Sequence, residues 1–531
     1  MKRTIGVITA VSILLAACSG RSGENMLPSP PSAKPAVKAA ISFVMHWPHK
    51  NTSLARTPKY ISPATQSVII QVNPTAPSPG PVTFANISGA TGNPPTSTVD
   101  IDAPVGSDDI VIQLYDAQQT AGEATANGNL VGQTEVSQTI SAGQLNTISA
   151  TVDGVVNGVQ IVPLANEPTA ESTQSGFNLV GTVPVAFEVN ALDADGNIIV
   201  PPGTVPVTTL SPYGSGVSVT PVPGTANQFS VRVTAPASKT AFPSLYAGAT
   251  DTYGDTVNSI ITIKPVSAVY VGYASGGVAL YDGFGKALSL PGAAFGGVKD
   301  PVALAYDYDD NYVFVADTGQ GKLLAFDPLG NPVPGFAAPS VPGISGVTYD
   351  SNNKMIYAVG TSGISSYTTT GTAASATGAP SNATAIAFVA NDSRNSTLNE
   401  LAVCIRGGAP AIGIYSEAAL QTNSFAIAGG PTSVAYAPYH TGVVQQIYDV
   451  RSGNIDGYDT SGGSALTVTD ANNPFGAAID QNNNDVYVTE QTTNAIVPYL
   501  SNLSAIDSAA ASITTPSASG MSSPAGIAIA Y

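Results

Sequence analysis

The chain has 531 residues, 43% hydrophobic and only 10% charged, so it is long enough for about three domains and too apolar for disorder. Gly (53) and Pro (41) exceed ordinary usage and point to turn-rich β-structure. Lys and Arg total 18 against 35 acids, and none lies between Lys59 and Arg232, so that stretch cannot neutralise phosphates and a nucleic-acid partner is excluded on charge.

Lys2 and Arg3 precede an apolar run from Ile5 to Ala16 that ends in Leu15-Ala16-Ala17-Cys18. The run is too short for a membrane span and suits a secretory signal. Its last four residues resemble the bacterial lipobox, which implies a signal peptide over 1–17, diacylation of Cys18 and a mature chain tethered to a membrane by lipid. An ordinary signal peptide with an incidental Cys is the alternative. Ser19 stands where an Asp would be the inner-membrane retention signal of enterobacteria, which favours the outer membrane or cell surface. Loss of Lys2 and Arg3 takes the net charge from −17 to −19. Residues 18–40, rich in Ser, Pro and Gly without apolar periodicity, read as a flexible tether.

Residues 41–153 contain alternating segments such as Gln66–Val72, Ser97–Asp102, Asp109–Tyr115 and Leu145–Val152, separated by Gly, Pro and Asn clusters, as in an antiparallel sandwich. Residues 154–264 repeat the style with Val185–Asn190, Gln228–Val233 and Val257–Ile263. Both resemble bacterial Ig-like modules, which implies spacers or adhesive surfaces, although no Cys-Trp-Cys signature is present. Pro265 marks the expected hinge into the next domain.

Residues 265–531 carry an internal repeat. Six apolar strand centres fall at Tyr270, Phe314, Tyr357, Ala402, Ile447 and Tyr487, spaced 44, 43, 45, 45 and 40 residues apart, and define units 1 to 6. Each is followed by a strand with one aromatic: Tyr281, Phe326, Tyr367, Tyr415, Tyr458 and Tyr499. Recurring once per unit, these aromatics read as packing between neighbouring units rather than as a carbohydrate platform. A strand of small residues precedes every centre but the first, and the missing one appears at the end of the chain as Ser523–Tyr531. A four-stranded unit of this length repeated radially is a β-propeller blade, and the terminal strand would complete blade 1 and close the ring. The fold expected is therefore all-β: two Ig-like sandwiches followed by a six-bladed propeller closed by the C-terminal strand. Pro301–Asp307, Val313–Asp317 and Lys322–Gly330 together resemble an NHL-type blade, a likeness that implies six-bladed architecture and little about activity.

Candidate sites are few. The His residues are His46, His49 and His440, so a His-rich zinc site cannot be assembled in the repeat, and Pro48 argues against a helix aligning the first two. Asp193, Asp195 and Asn197 have the spacing of calcium ligands, but no Glu follows at the twelfth position and an Asp-Gly hairpin turn is the better reading. A lactonase of the gluconolactonase type would hold calcium at the channel mouth. The corresponding positions are Asp300, Asn382, Asn472 and Asn473, without the Glu of that family's ligand set. No nucleophile elbow or phosphate loop occurs. Cys404, in Leu401–Ile405, reads as a buried small hydrophobe. No catalytic, cofactor or metal residue is assigned. The expectation is a surface-tethered, non-catalytic lipoprotein of the cell envelope, with the membrane as partner through Cys18 and a protein or glycan ligand on the propeller. The alternative is an exported hydrolase of lactonase type with a divalent metal in the channel.

Overall fold

The computed structural model describes residues 37–46, 62–73, 82–87, 96–120 and 126–530, apart from single residues and short segments within the last range, the longest being 235–241, 391–399, 438–446 and 515–520. All regular structure among the described residues is β-strand.

The first pair of sheets joins Thr96–Pro104, Lys38–His46 and Asn146–Ile148 in one layer. Val82–Asn86, Ser67–Val72, Gly106–Tyr115, Leu130–Ile140 and Asp153–Gly154 form the other. Alternation sends Ile41, Phe43 and Met45 of one layer and Ile110, Ile112 and Leu114 of the other into a shared core. The second pair sets Ala170–Thr173, Gly176–Val180, Thr256–Val266, Ser244–Thr250 and Val207–Tyr213 against Val217–Pro221, Gln228–Val233, Val185–Leu192 and Gly158–Pro163. Phe177 meets Phe187 edge-on at 4.9 Å between these layers.

From Ala268 onward the chain forms six small sheets in a propeller-like arrangement. The innermost strands are Pro524–Ala530, Pro301–Asp307, Gly346–Asp350, Ala383–Val389, Pro431–Tyr436 and Pro474–Ile479. Each packs against the next in this order, and the sixth packs against the first. The C-terminal strand pairs antiparallel with Ala268–Tyr273 of unit 1, with Ala530 opposite Ala268 and Ala528 opposite Tyr270.

Two features let the inner strands converge. Glycine removes the Cβ where backbones approach: at Gly476 a Cβ would lie 2.2 Å from the Ala525 carbonyl oxygen, and at Gly526 it would lie 2.7 Å from the Ala303 Cα. Hydroxyl groups then bond each unit to its neighbour. Tyr308 donates to the Ile529 carbonyl at 2.8 Å, Tyr349 to Asp309 Oδ2 at 2.8 Å and Ser345 to the Ala383 carbonyl at 3.1 Å. Thr384 donates to Pro431 O at 2.9 Å, Thr432 to Phe475 O at 2.9 Å and Thr489 to Ala525 O at 2.8 Å. All but the Tyr349 bond, which ends on a carboxylate, satisfy backbone carbonyls at the unit junctions.

Two expectations are corrected. Among the described residues, units 1 and 2 have three strands rather than four. In unit 2 the outer segment carries Pro332, Pro334, Pro339 and Pro342, which cannot donate to a ladder. It pairs with the third strand through isolated bridges, from Phe326 to Pro332 and from Lys322 to Ser340, rather than as a continuous strand. Pro265 is not in a hinge loop. It lies within Thr256–Val266 opposite Leu179, beyond Thr262, where pairing with Ser244–Thr250 ends and a missing N–H costs no ladder bond on that side. Val180 and Val266 consequently share one core with Ala268, Tyr270 and Ala530.

Candidate functional site

The inner strand of each unit stands at the edge of its sheet, so six strand edges face a common cavity of about 180 Å³. Small residues of the inner strands, among them Ala303, Ala305, Ala385, Ala435 and Ala478, line it together with the hydroxyls of Ser345, Thr348, Thr432 and Ser433. Several of those hydroxyls are engaged in the wall itself: Thr348 accepts from the Phe388 N–H at 2.9 Å and Ser433 from the Ala477 N–H at 3.2 Å. None of the residues lining the cavity is charged. The wall offers backbone and hydroxyl donors and acceptors at fixed positions. Such a surface can hold a small uncharged polar ligand.

Two clusters of charged groups lie within units 5 and 6, outside the cavity lining. In unit 5, Asp449 and Asp456 face each other across the hairpin, and Arg451 forms an ion pair with Asp456. Thr467 donates to the other Asp456 oxygen at 2.5 Å. Asp449 is fully buried; burial, with Asp456 adding to it and Arg451 opposing, pushes its carboxyl up to about 7. In unit 6, burial raises Glu490, which accepts from Thr493 at 2.6 Å and lies near Asp470. Sequence reading missed both groups. Their signal was acidic residues inside otherwise apolar strand segments, Ile447–Arg451 and Val486–Glu490.

The residues singled out from sequence are dispersed. Asp193 closes a turn: its Oδ1 accepts from the Asp195 and Asn197 N–H groups at 3.0 and 2.8 Å, and Gly196 takes φ +77°. Asp300 donates its N–H to Asp317 Oδ1 at 3.0 Å, Asn382 bonds the Arg406 carbonyl, and the Asn472 N–H donates to Asp470 at 2.8 Å. Asn473 donates to Gln491 Oε1 at 2.9 Å. None of these four lines the cavity, and nothing in their placement favours the lactonase alternative. Cys404 is buried, and burial and then Asp449 push its thiol up. The six recurring aromatics, from Tyr281 to Tyr499, are all buried in clusters of the core. His46 lies in the first strand, whereas Cys18, His49 and His440 lie outside the described residues.

No family model matches the chain, and no curated protein does. Among solved structures, a nidogen/laminin complex chain is similar over 50% of this chain and 98% of its own, at 15% identity and a TM-score of 0.40. A protein of unknown function from Bacteroides caccae is similar over 50% and 99%, at 11% identity and TM-score 0.38. A chain of Kuenenia stuttgartiensis hydrazine synthase is similar over 40% and 77%, at 12% identity and TM-score 0.28.

Proposed function

We propose that the protein is a non-catalytic binding module of the bacterial cell envelope, tethered by lipid on Cys18 at the outer membrane or cell surface. In this reading residues 1–17 are the signal peptide and 18–40 the tether. Residues 41–153 and 154–264 are Ig-like spacers, and 265–531 form a six-bladed NHL-like propeller closed by the C-terminal strand. The observation that carries the binding role is the uncharged cavity where six strand edges meet. A rigid ring stitched at every junction holds its donors and acceptors in place, so a ligand of matching pattern binds without an ordering cost in the wall. The ligand is a protein loop or a glycan end small enough to enter.

The test has two arms. Cys18→Ser should move the protein from the membrane to the soluble fraction; continued membrane association overturns the tether. Photo-crosslinking from position 348, at the cavity wall, should capture a ligand in intact envelopes that crosslinking from the exposed Ile506 does not. Calcium-dependent turnover of lactone or ester substrates by the purified chain overturns the non-catalytic reading.

A further inference from the structure

The outward face of the five-stranded sheet in the second sandwich carries exposed aromatic and amide groups that lie outside the core and the cavity. Alternation along Val207–Tyr213, Ser244–Thr250 and Thr256–Val266 turns Leu210, Leu245, Ala247 and Ile263 into the core and the intervening side chains outward. Register arranges the outward residues in rows across three strands: Tyr213, Ser244 and Thr262; Ser211, Tyr246 and Ile260; Thr209, Gly248 and Asn258; Val207, Thr250 and Thr256. These rows contain no Lys, Arg, Asp or Glu, and Lys264, the next residue outward beyond Thr262, stands over the Phe284 ring at 5.0 Å.

Gly248 shapes the face. A Cβ there would lie 2.8 Å from Asn258 Oδ1 and 2.9 Å from Thr209 Oγ1, so an amide and a hydroxyl lean over a position that has no side chain. Beside this depression stand Tyr246 and Ile260, the latter 58% exposed, and Tyr213 in the next row is 61% exposed. Tyr213 and Tyr246 are diagonal neighbours, a relation that puts side chains about 7–8 Å apart on a sheet, within reach of one extended ligand.

We propose that this face binds an uncharged polysaccharide, with the Tyr213 and Tyr246 rings against the apolar faces of sugar units and Asn258 and Thr209 bonding their hydroxyls. Charge decides against acidic glycans: the rows contain no cation to pair with sulfate or uronate, and the net charge of −17 repels polyanions. An apolar partner helix would need a contiguous apolar patch, whereas here Ser, Thr and Asn interleave with the rings. A second copy pairing along the free edge Val207–Tyr213 is disfavoured by Pro212, which removes a donor from that edge. The proposal is independent of the cavity.

Native gel electrophoresis of the full chain in gels cast with dextran, mannan, xyloglucan or β-glucan tests it, with polygalacturonate and dextran sulfate as charged comparators. Retardation is expected with at least one neutral polymer and with neither charged one. Tyr213→Ala and Asn258→Ala, both at exposed positions, should each weaken that binding at least tenfold with an unchanged Tm. Three outcomes overturn the proposal: no retardation by any neutral polymer, full retardation of both variants, or a wild-type dimer in sedimentation that Tyr213→Ala dissociates.

Discussion

The guanidinium of Arg232 donates to Asn311 Oδ1 at 2.7 Å, bonding the second sandwich to the first turn of unit 2. Thr182 donates to the same oxygen at 2.7 Å and lies 2.6 Å from the Tyr306 hydroxyl. Arg232 is the first basic residue after Lys59, so the first cation after a long base-free stretch is committed to an internal contact. Lys286 and Glu171 form a second, exposed link at 3.0 Å, which contributes little. Arg232→Met keeps the stem and removes the charged bond, with an expected loss of about 1.5 kcal/mol at the junction. Hydrogen exchange should speed up around residues 180–182 and 308–311 while the cores of units 3 to 5 stay protected. Unchanged exchange at the junction would show that the shared apolar core alone holds it.

Close approach between inner strands makes Gly476 and Gly526 irreplaceable on steric grounds. The oxygen 2.2 Å from a Cβ at 476 and the Cα 2.7 Å from one at 526 are both backbone atoms, so no rotamer change relieves either clash. Each Gly→Ala change should destabilise by about 2–3 kcal/mol, as for overpacked cores. Urea midpoints measure this. Gly196→Ala is a suitable comparison, because its Cβ meets nothing within 4 Å and only its φ of +77° opposes the change. It should cost less than either inner-strand substitution.

The repeat was legible because each unit reuses one local pattern, and the strand centres at Tyr270, Phe314, Tyr357, Ala402 and Tyr487 all fall in second strands of their sheets. The small inner residues were legible for the same reason, and they outline the cavity. What escaped was non-local. Arg232 and Asn311 lie 79 residues apart and neither belongs to a motif. Most hydroxyl bonds between units join an ordinary Thr, Ser or Tyr to a backbone carbonyl, a contact that no pattern of residue types announces. Asp449 was hidden differently: Ile-Tyr-Asp-Val-Arg reads as alternation with a solvated face, yet a neighbouring unit covers each face of a central strand, so all five residues are buried.

Asp449 sets a pH dependence with a defined sign. Its carboxyl is raised from 3.8 to about 7, so the folded state holds the proton more tightly than the unfolded chain. The stabilisation is fully present below about pH 4 and is lost as pH rises toward 7, by on the order of 3–4 kcal/mol. Asp449→Asn, which keeps the shape and cannot ionise, should flatten this slope and leave the variant the more stable protein at pH 8. Denaturant titrations of both proteins at pH 5 and pH 8 provide the check; parallel pH profiles would remove Asp449 as the cause.

The strand Pro524–Ala530 occupies an inner position. Every residue of Pro524–Ala530 is buried, and the strand packs against the inner strands of units 2 and 6 while pairing with unit 1. Without it, Ala268–Tyr273 would present an open edge and the apolar faces of Ile527 and Ile529 would leave a gap beside Tyr273 and Ile496. Truncation after Ser522 should therefore abolish cooperative unfolding of residues 268–522 and leave the second sandwich, with its own core around Phe187 and Val231, folded. A peptide spanning residues 523–531 added in excess should restore part of the transition by binding the vacant position. A truncated chain that unfolds with the wild-type midpoint would show that the six sheets hold together without this strand.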